Sequence, residues 1–175
     1  ISEAQMMAET EKIIHHDIDF LPLKSIANSV CGNALRMDWN DLLPAGKCSY
    51  IIGNPPFLGY TYQSGEQKED VGSVWKDQSG RQIKGTGKLD YVTCWYKKAA
   101  GYICGTGARC AFVSTNSICQ GEQVPLVWKS LSDMYGIRID FAWRSFVWNS
   151  EAADPAHVHV VIVGFSCGDF CGPCR

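Results

Sequence analysis

An α/β fold, with a mixed, mostly parallel sheet and helices on both faces, is what this sequence predicts. Compact apolar runs rich in β-branched and aromatic residues recur along the chain, which is how a buried strand reads. Between them lie segments whose apolar residues return every three or four positions, the period of a helix with one face inside. Strands alternating with helices in this way build an α/β domain. The size agrees: 175 residues, 46% of them apolar and 19% charged, suffice for one core and exclude a disordered or low-complexity chain. No repeat and no second domain are visible, so residues 1–175 read as one unit.

The elements follow in order. Residues 3–15 carry Ala4, Met7, Ala8 and Glu11 with few breakers and read as a helix. Residues 26–31, with Ile26, Val30 and Cys31, read as a short strand closing at Gly32. Ser49-Tyr50-Ile51-Ile52 is a buried strand that ends at Gly53. From 58 to 88 the chain is polar and carries Gly59, Gly65, Gly72, Gly80, Gly85 and Gly87, which reads as a long, flexible, functional loop. Leu89, Val92, Tyr96, Ala99 and Ile103 trace one face of a helix. Ala111-Phe112-Val113 is another strand, and 122–134 a second helix, with Pro125 tolerable near its first turn. Residues 137–141 alternate as a strand, and Val158 to Phe165 is an apolar strand interrupted by His159.

Composition narrows the classes. Sixteen basic against eighteen acidic residues give a net charge of −2, unusual for a stand-alone nucleic-acid binder but compatible with a local basic groove. No run approaches the roughly 18 apolar residues of a membrane span. The start, Ile1-Ser2-Glu3-Ala4, has no basic-then-apolar leader, so no membrane partner is expected. The absence of an initiator Met reads as a piece of something longer. Of nine cysteines, Cys31, Cys48, Cys94, Cys104, Cys110 and Cys119 are scattered through apolar segments and read as small hydrophobes. The odd total of nine and the wide spacing argue for a reduced, cytoplasmic compartment. Cys167, Cys171 and Cys174 fall in a tail, 167–175, whose Cys-Gly-Pro-Cys has only Arg175 after it, so neither a redox nor a zinc role is expected. His157 and His159 lie two apart, as do ligands on one strand face, but no Cys or carboxylate partner is placed, and no metal is expected.

The chemistry concentrates in Gly53-Asn54-Pro55-Pro56-Phe57, directly after a buried strand. Ligands of open α/β sheets bind at the carboxyl ends of the strands. Two prolines fix φ and remove two N–H donors, and Asn54 before a proline is held extended. The turn therefore presents the Asn54 side-chain oxygen and the Pro55 carbonyl, two acceptors with no donor between them. Such a pair suits a planar amino group with two N–H bonds to give. Accepting both hydrogens draws density onto the nitrogen and frees its lone pair for attack on an electrophilic methyl group. Phe57 can offer a flat face to the ring that bears the amine. The plainer alternative is a Pro-Pro turn that ends a strand, with Phe57 in the core.

These residues resemble a known family. Asn-Pro-Pro-Phe is similar to motif IV of amino-group methyltransferases. The segments GNALRMDWNDLLP, YIIGNPPFLGY, KLDYVTCWYKKAAGYI, AFVSTNSICQGEQV and FAWRSFVWNSEAADPAHVHVVIVGFS resemble successive motifs of bacterial adenine-specific DNA methyltransferases. The branch is that of single-chain type II restriction–modification (MmeI-like) enzymes, and the match runs from about residue 20 to 166. The resemblance implies a partial Rossmann-like class I methyltransferase domain using S-adenosylmethionine on double-stranded DNA. It places Asn54, Pro55, Pro56 and Phe57 in the catalytic motif, with Asn54 and Pro55 on the amine of a flipped-out adenine and Phe57 stacked on it. Extruding the base costs a few kcal/mol, partly returned in the pocket. Asn33, Gly53 and Asn54 would face the methyl donor, Asn33 standing where many relatives have Asp. Phe146 or Trp148 would supply a second aromatic against the base, and the sequence does not choose between them. Asn116 and Gln120 read either as lining this face or as capping the helix that follows.

The resemblance also sets expectations about what is missing. No Gly-x-Gly turn follows a strand upstream of Asn33, and Gly105-Thr106-Gly107 lies after a helix. The family order puts the donor-binding turn and the acidic end of the second strand before Ile1, leaving strands three to seven of the order 3-2-1-4-5-7-6. These residues alone are then expected neither to bind the donor tightly nor to methylate DNA, with target recognition, and any nuclease, elsewhere in the parent. Two other functions fit the same turn: an amino-group methyltransferase acting on RNA or on a protein glutamine, and an inactive DNA-binding module without a donor.

Overall fold

The computed structural model describes residues 29–148 and 158–168, and for Val147, Trp148 and Val158 the backbone alone. The helix expected over 3–15, His15-His16, His157, Cys171 and Cys174 lie outside the described residues.

Four strands form one sheet: β1 (Tyr50–Gly53), β2 (Arg109–Thr115), β3 (Ile137–Trp148) and β4 (Val158–Cys167), in the order β1-β2-β4-β3. β1 pairs parallel with β2, whereas β4 runs antiparallel to both β2 and β3. The sheet is therefore mixed, as expected, with three strands in one direction. Parallel pairing is confined to β1–β2, because β4 turns back from β3 and inserts between it and β2. A four-residue helix, α1 (Trp39–Leu42), precedes β1, and α2 (Gly65–Val74) follows it. α3 (Thr93–Ile103) leads into β2. Between β2 and β3 a π-helical segment, Pro125–Lys129, continues into α4 (Ser130–Tyr135). Pro125 sits in its first turn, as the sequence requires. α4 ends at Gly136, whose φ of 63° is the left-handed cap that glycine adopts without strain.

The core lies between α3 and one face of the sheet. Leu89, Val92, Tyr96, Ala99 and Ile103, picked out by their spacing, are all buried there. Tyr96 is its centre: its ring meets Phe112 and Trp128, each at 5.3 Å, and stacks on Phe165 at 5.6 Å. Its hydroxyl shares a 2.6 Å hydrogen bond with Ser114, which satisfies both buried groups. Beneath α4, Lys97 donates to Tyr135 Oη at 2.7 Å, and burial lowers its pKa to about 8. Of the cysteines read as core hydrophobes, Cys94 and Cys110 are buried and burial pushes their thiols up. Cys31, Cys104 and Cys119 are instead exposed, and Cys48 half-buried.

Two expectations change, and a third is met on one face alone among the described residues. Residues 29–31 form no strand: Val30 is 58% exposed, and the chain bends into a turn closed by Arg36 N donating to Asn33 O at 2.9 Å. A short β-branched run becomes a strand only with a neighbour to pair, and no described strand lies beside it. The polar stretch 58–88 is not one long loop. It holds α2, opened by a capping box in which Ser64 Oγ accepts from Gln67 N and Gln67 Oε1 accepts from Ser64 N. Val71 and Trp75 root it in the core. Finally, the described helices gather on the α3 face. The register sets Ile52, Ala111, Gly164 and Phe141 in one row across the other face, where Ile52 is 81% exposed. Gly164 is required there, since a Cβ would run into the Phe141 ring. Cys167, assigned to the tail, ends β4.

Candidate active site

β1 and β2 are parallel, so their carboxyl ends lie on one edge of the sheet, and the catalytic candidates leave from it. Residues 54–59 have no regular structure. Pro55 is buried, while Asn54 and Pro56 are exposed. Among the described residues no hydrogen bond engages the Asn54 amide, so its oxygen is free to accept. Phe57 is half-buried and packs against the core. Gly53 is exposed and pairs with Phe112.

One side chain that sequence reasoning passed over fixes this turn. Asp90, buried just before α3, accepts from Leu58 N at 3.0 Å and Val92 N at 3.3 Å through Oδ1. Through Oδ2 it accepts from Thr115 Oγ1 at 3.1 Å and Ser117 Oγ at 3.2 Å. One carboxylate thus joins the turn after β1, the start of α3 and the turn after β2. Tyr91 N donates to Leu58 O at 3.0 Å, and Gln63 Nε2 donates to both Leu58 O and Leu89 O at 3.0 Å. Gln63 Oε1, buried beside them, has no partner among the described residues. The signal for Asp90 was present in the sequence: an acid set among apolar residues where a helix begins.

Asn33 reaches the same network through a second buried acid. Its Oδ1 accepts from Leu35 N at 2.9 Å, and its Nδ2 donates to Asp70 Oδ2 at 3.1 Å. Asp70, on α2, also accepts from Arg36 Nε at 2.7 Å and from the Tyr91 hydroxyl at 2.7 Å. Tyr91 therefore links the Asn33 turn to the Asn54 turn by side chain on one side and backbone on the other. Burial acts to raise the Asp70 pKa, but the hydrogen bonds from Arg36, Tyr91 and Asn33 outweigh it and hold the carboxyl below its ordinary value of 3.8. The same contact and burial push the Tyr91 hydroxyl up. A carboxyl depressed in the folded state contributes stability above its unfolded pKa and loses it as pH falls through the folded value. Asp70→Ala is thus expected to weaken protection of α2 amides from hydrogen exchange by about 2 kcal/mol at pH 7. Below about pH 3.8 the difference should shrink; equal protection at pH 7 would refute this role.

Phe146 and Trp148 lie toward the same edge. Val160 pairs with Thr115 on one side and Phe146 on the other, and Trp148 pairs with Val158 at the end of β3. Phe146 is half-buried. β3 stands three strand spacings from β1, about 14 Å, so its carboxyl end lies across the sheet edge from the Asn54 turn. The two described cavities lie elsewhere. One of about 410 Å³ is bounded by Arg36, Trp39, Lys98 and Tyr102, and one of about 280 Å³ by Tyr50, Ile52, Arg109 and Phe141.

A mixed sheet whose parallel strands end on one edge, with helices packed against it, defines a truncated α/β domain of Rossmann type. The family model of the MmeI DNA-methyltransferase domain matches residues 1–170, and the chain belongs to that family. It is 40% identical over 168 residues to DNA methyltransferase A of Bacillus subtilis (strain 168), covering 94% of this chain and 18% of that protein. It is also similar to the structure of the type IIL restriction-modification enzyme MmeI in complex with DNA. There the TM-score is 0.79 and the identity 46%, over 95% of this chain and 22% of that one. The chain thus spans about a fifth of the length of these relatives. A methyltransferase domain implies a methyl donor.

Proposed function

We propose that this chain supplies the base-binding and amine-activating edge of an enzyme that transfers a methyl group to N6 of adenine in double-stranded DNA, within a restriction–modification system. The observation that carries it is the Asn54-Pro55 pair: an exposed, unengaged side-chain acceptor beside a buried proline at the end of a parallel strand. The donor, S-adenosylmethionine, supplies a methyl carbon made electrophilic by its sulfonium. Asn33 suits its adenine, since one N–H and one lone pair of its side chain remain after the bonds to Leu35 and Asp70. Asn33 and Gly53 would hold it, with Asn54 at the junction of donor and base.

This chain's own residues then do the following. Asn54 Oδ1 and the Pro55 carbonyl accept the two amine hydrogens of a flipped adenine, which localises its lone pair. Phe57 carries the ring, and Phe146 or Trp148 closes on it from β3. Asp90 keeps the turn from yielding as the amine loads it. The bound donor would supply the methyl carbon, its bond to sulfur breaking as the bond to nitrogen forms and a neutral thioether leaving, so positioning contributes more than basicity, and the surplus proton leaves to water. The setting is the bacterial cytoplasm, where DNA is the substrate.

The test is labelled methyl transfer by the full-length protein to DNA, RNA and protein, with the product identified by mass spectrometry. The expected product is N6-methyladenine in duplex DNA. Label on RNA or on glutamine, with none on DNA, would overturn the reading.

A further inference from the structure

A basic, rigid turn stands beside the catalytic edge, and we infer that it grips the phosphates of duplex DNA next to the extruded base. The inference rests on the DNA reading above. Residues 76–88 carry Lys76, Arg81, Lys84 and Lys88 against Asp77 alone, a local charge of +3 in a chain whose net charge is −2. All four basic side chains are exposed. Among the described residues one ion pair touches them, the exposed 3.6 Å contact of Arg81 with Asp77. Such a contact in water is weak and screened by salt.

Four charges on a floppy loop would be an ordinary solvated surface, but this segment is built. Lys76 pairs with Gln82 in an antiparallel bridge, and Ile83 N donates to Trp75 O at 2.9 Å. Asp77 Oδ1 closes the tip, accepting from Ser79 N at 2.8 Å and Arg81 N at 3.0 Å. The root is apolar: Trp75 is buried and donates Nε1 to Thr93 Oγ1 at 3.2 Å, and Ile83 packs on the core. Leu126 lies against Gly85. The backbone that carries the charges is thereby held in place, which lowers the entropy lost when they meet a phosphate.

The position selects the partner. Lys88 is two residues from Asp90, which holds the amide next to Phe57. The 86–88 turn packs against the turn Tyr60–Tyr62, where Tyr62 is 80% exposed. Through Asp90 and the Tyr60–Tyr62 turn, this corner adjoins the segment that carries Asn54 and Phe57. The acids of α2, Glu66 and Glu69, instead lie toward Arg36. A surface of clustered cations on a hydrogen-bonded turn, with an exposed aromatic, suits a polyanion carrying bases.

The test uses the full-length protein and a non-specific duplex, with affinity measured from 50 to 200 mM salt. Each phosphate contact contributes a slope of about −0.9 to log K against log salt. The variant K76Q/R81Q/K84Q/K88Q is expected to lose two to four such contacts, flattening the slope by about 2 to 4. K76R/K84R/K88R should keep it, and K47Q/K129Q, on exposed lysines elsewhere, should leave it unchanged. An unaltered slope in the fourfold variant, or an equal loss in K47Q/K129Q, would overturn the inference. If the parent methylates DNA while the fourfold slope stays at wild type, this surface fails and the proposed function stands. If the slope falls as expected but DNA is never methylated, the surface stands and the proposed function fails.

Discussion

Asn54→Ala is expected to lower methyl transfer to DNA by about 10²- to 10³-fold in kcat, the loss seen when one preorganised charge-stabilising group is removed. Asn54 is exposed and engaged with no other described group, so its loss leaves the core and the Asp90 network intact. Pro55 still presents its carbonyl, and one of two acceptors survives. The amine can then bind, but its lone pair stays partly conjugated with the ring. The deficit should therefore appear in single-turnover rates, with DNA affinity changed by less than about tenfold. Asn54→Asp keeps an acceptor in place and should recover part of the rate. A single-turnover rate for the Ala variant within a few-fold of wild type would remove Asn54 from the chemistry.

Asp90→Ala is the second large effect, and it acts at one remove. Its carboxylate accepts four hydrogen bonds from three segments, and removal strands two backbone N–H groups and two hydroxyls in a mostly buried site. Hydrogen bonds to a charged group are worth about 1.5–3 kcal/mol each, and water replaces some of them, so a loss of about 3 kcal/mol in local stability is expected. The turn would also shift, and a displacement near 1 Å costs about 10²-fold in rate. Asp90→Asn separates geometry from charge. It can still accept through one oxygen, and the Thr115 and Ser117 hydroxyls can rotate to accept from its amide, so most of the rate should return. Hydrogen exchange across residues 58–63 and 115–120 reports the turn, and kcat reports the chemistry. Wild-type values of both in the Ala variant would show that Asp90 does not position the site.

Much of this molecule was legible before its structure. The Asn-Pro-Pro-Phe turn could be read as a pair of fixed acceptors because proline restricts φ and lacks N–H wherever it occurs. The inward face of α3 was legible from Leu89, Val92, Tyr96, Ala99 and Ile103 because helical spacing is set by the backbone. α2 was not. It is mostly polar, and it persists because Asp70, Val71 and Trp75 find partners in other elements. Of the strand expected over 26–31, the described residues 29–31 form none for the converse reason, since Val30 has no described strand beside it. The exposed cysteines fell to the same limit: an apolar neighbourhood in sequence is not one in space.

The sequence by itself determined the α/β class, the donor-poor backbone of the turn at residues 54–57 and the helix that packs behind it. Each depends on constraints that act within a few residues. Only the tertiary structure decided that β4 lies between β2 and β3, and that Asp70 and Asp90 hold the Asn33 and Asn54 turns together. The partners of those acids lie between 2 and 37 residues away along the chain. A buried carboxylate is tolerated only where folding has brought donors to it. No local pattern records which donors those will be.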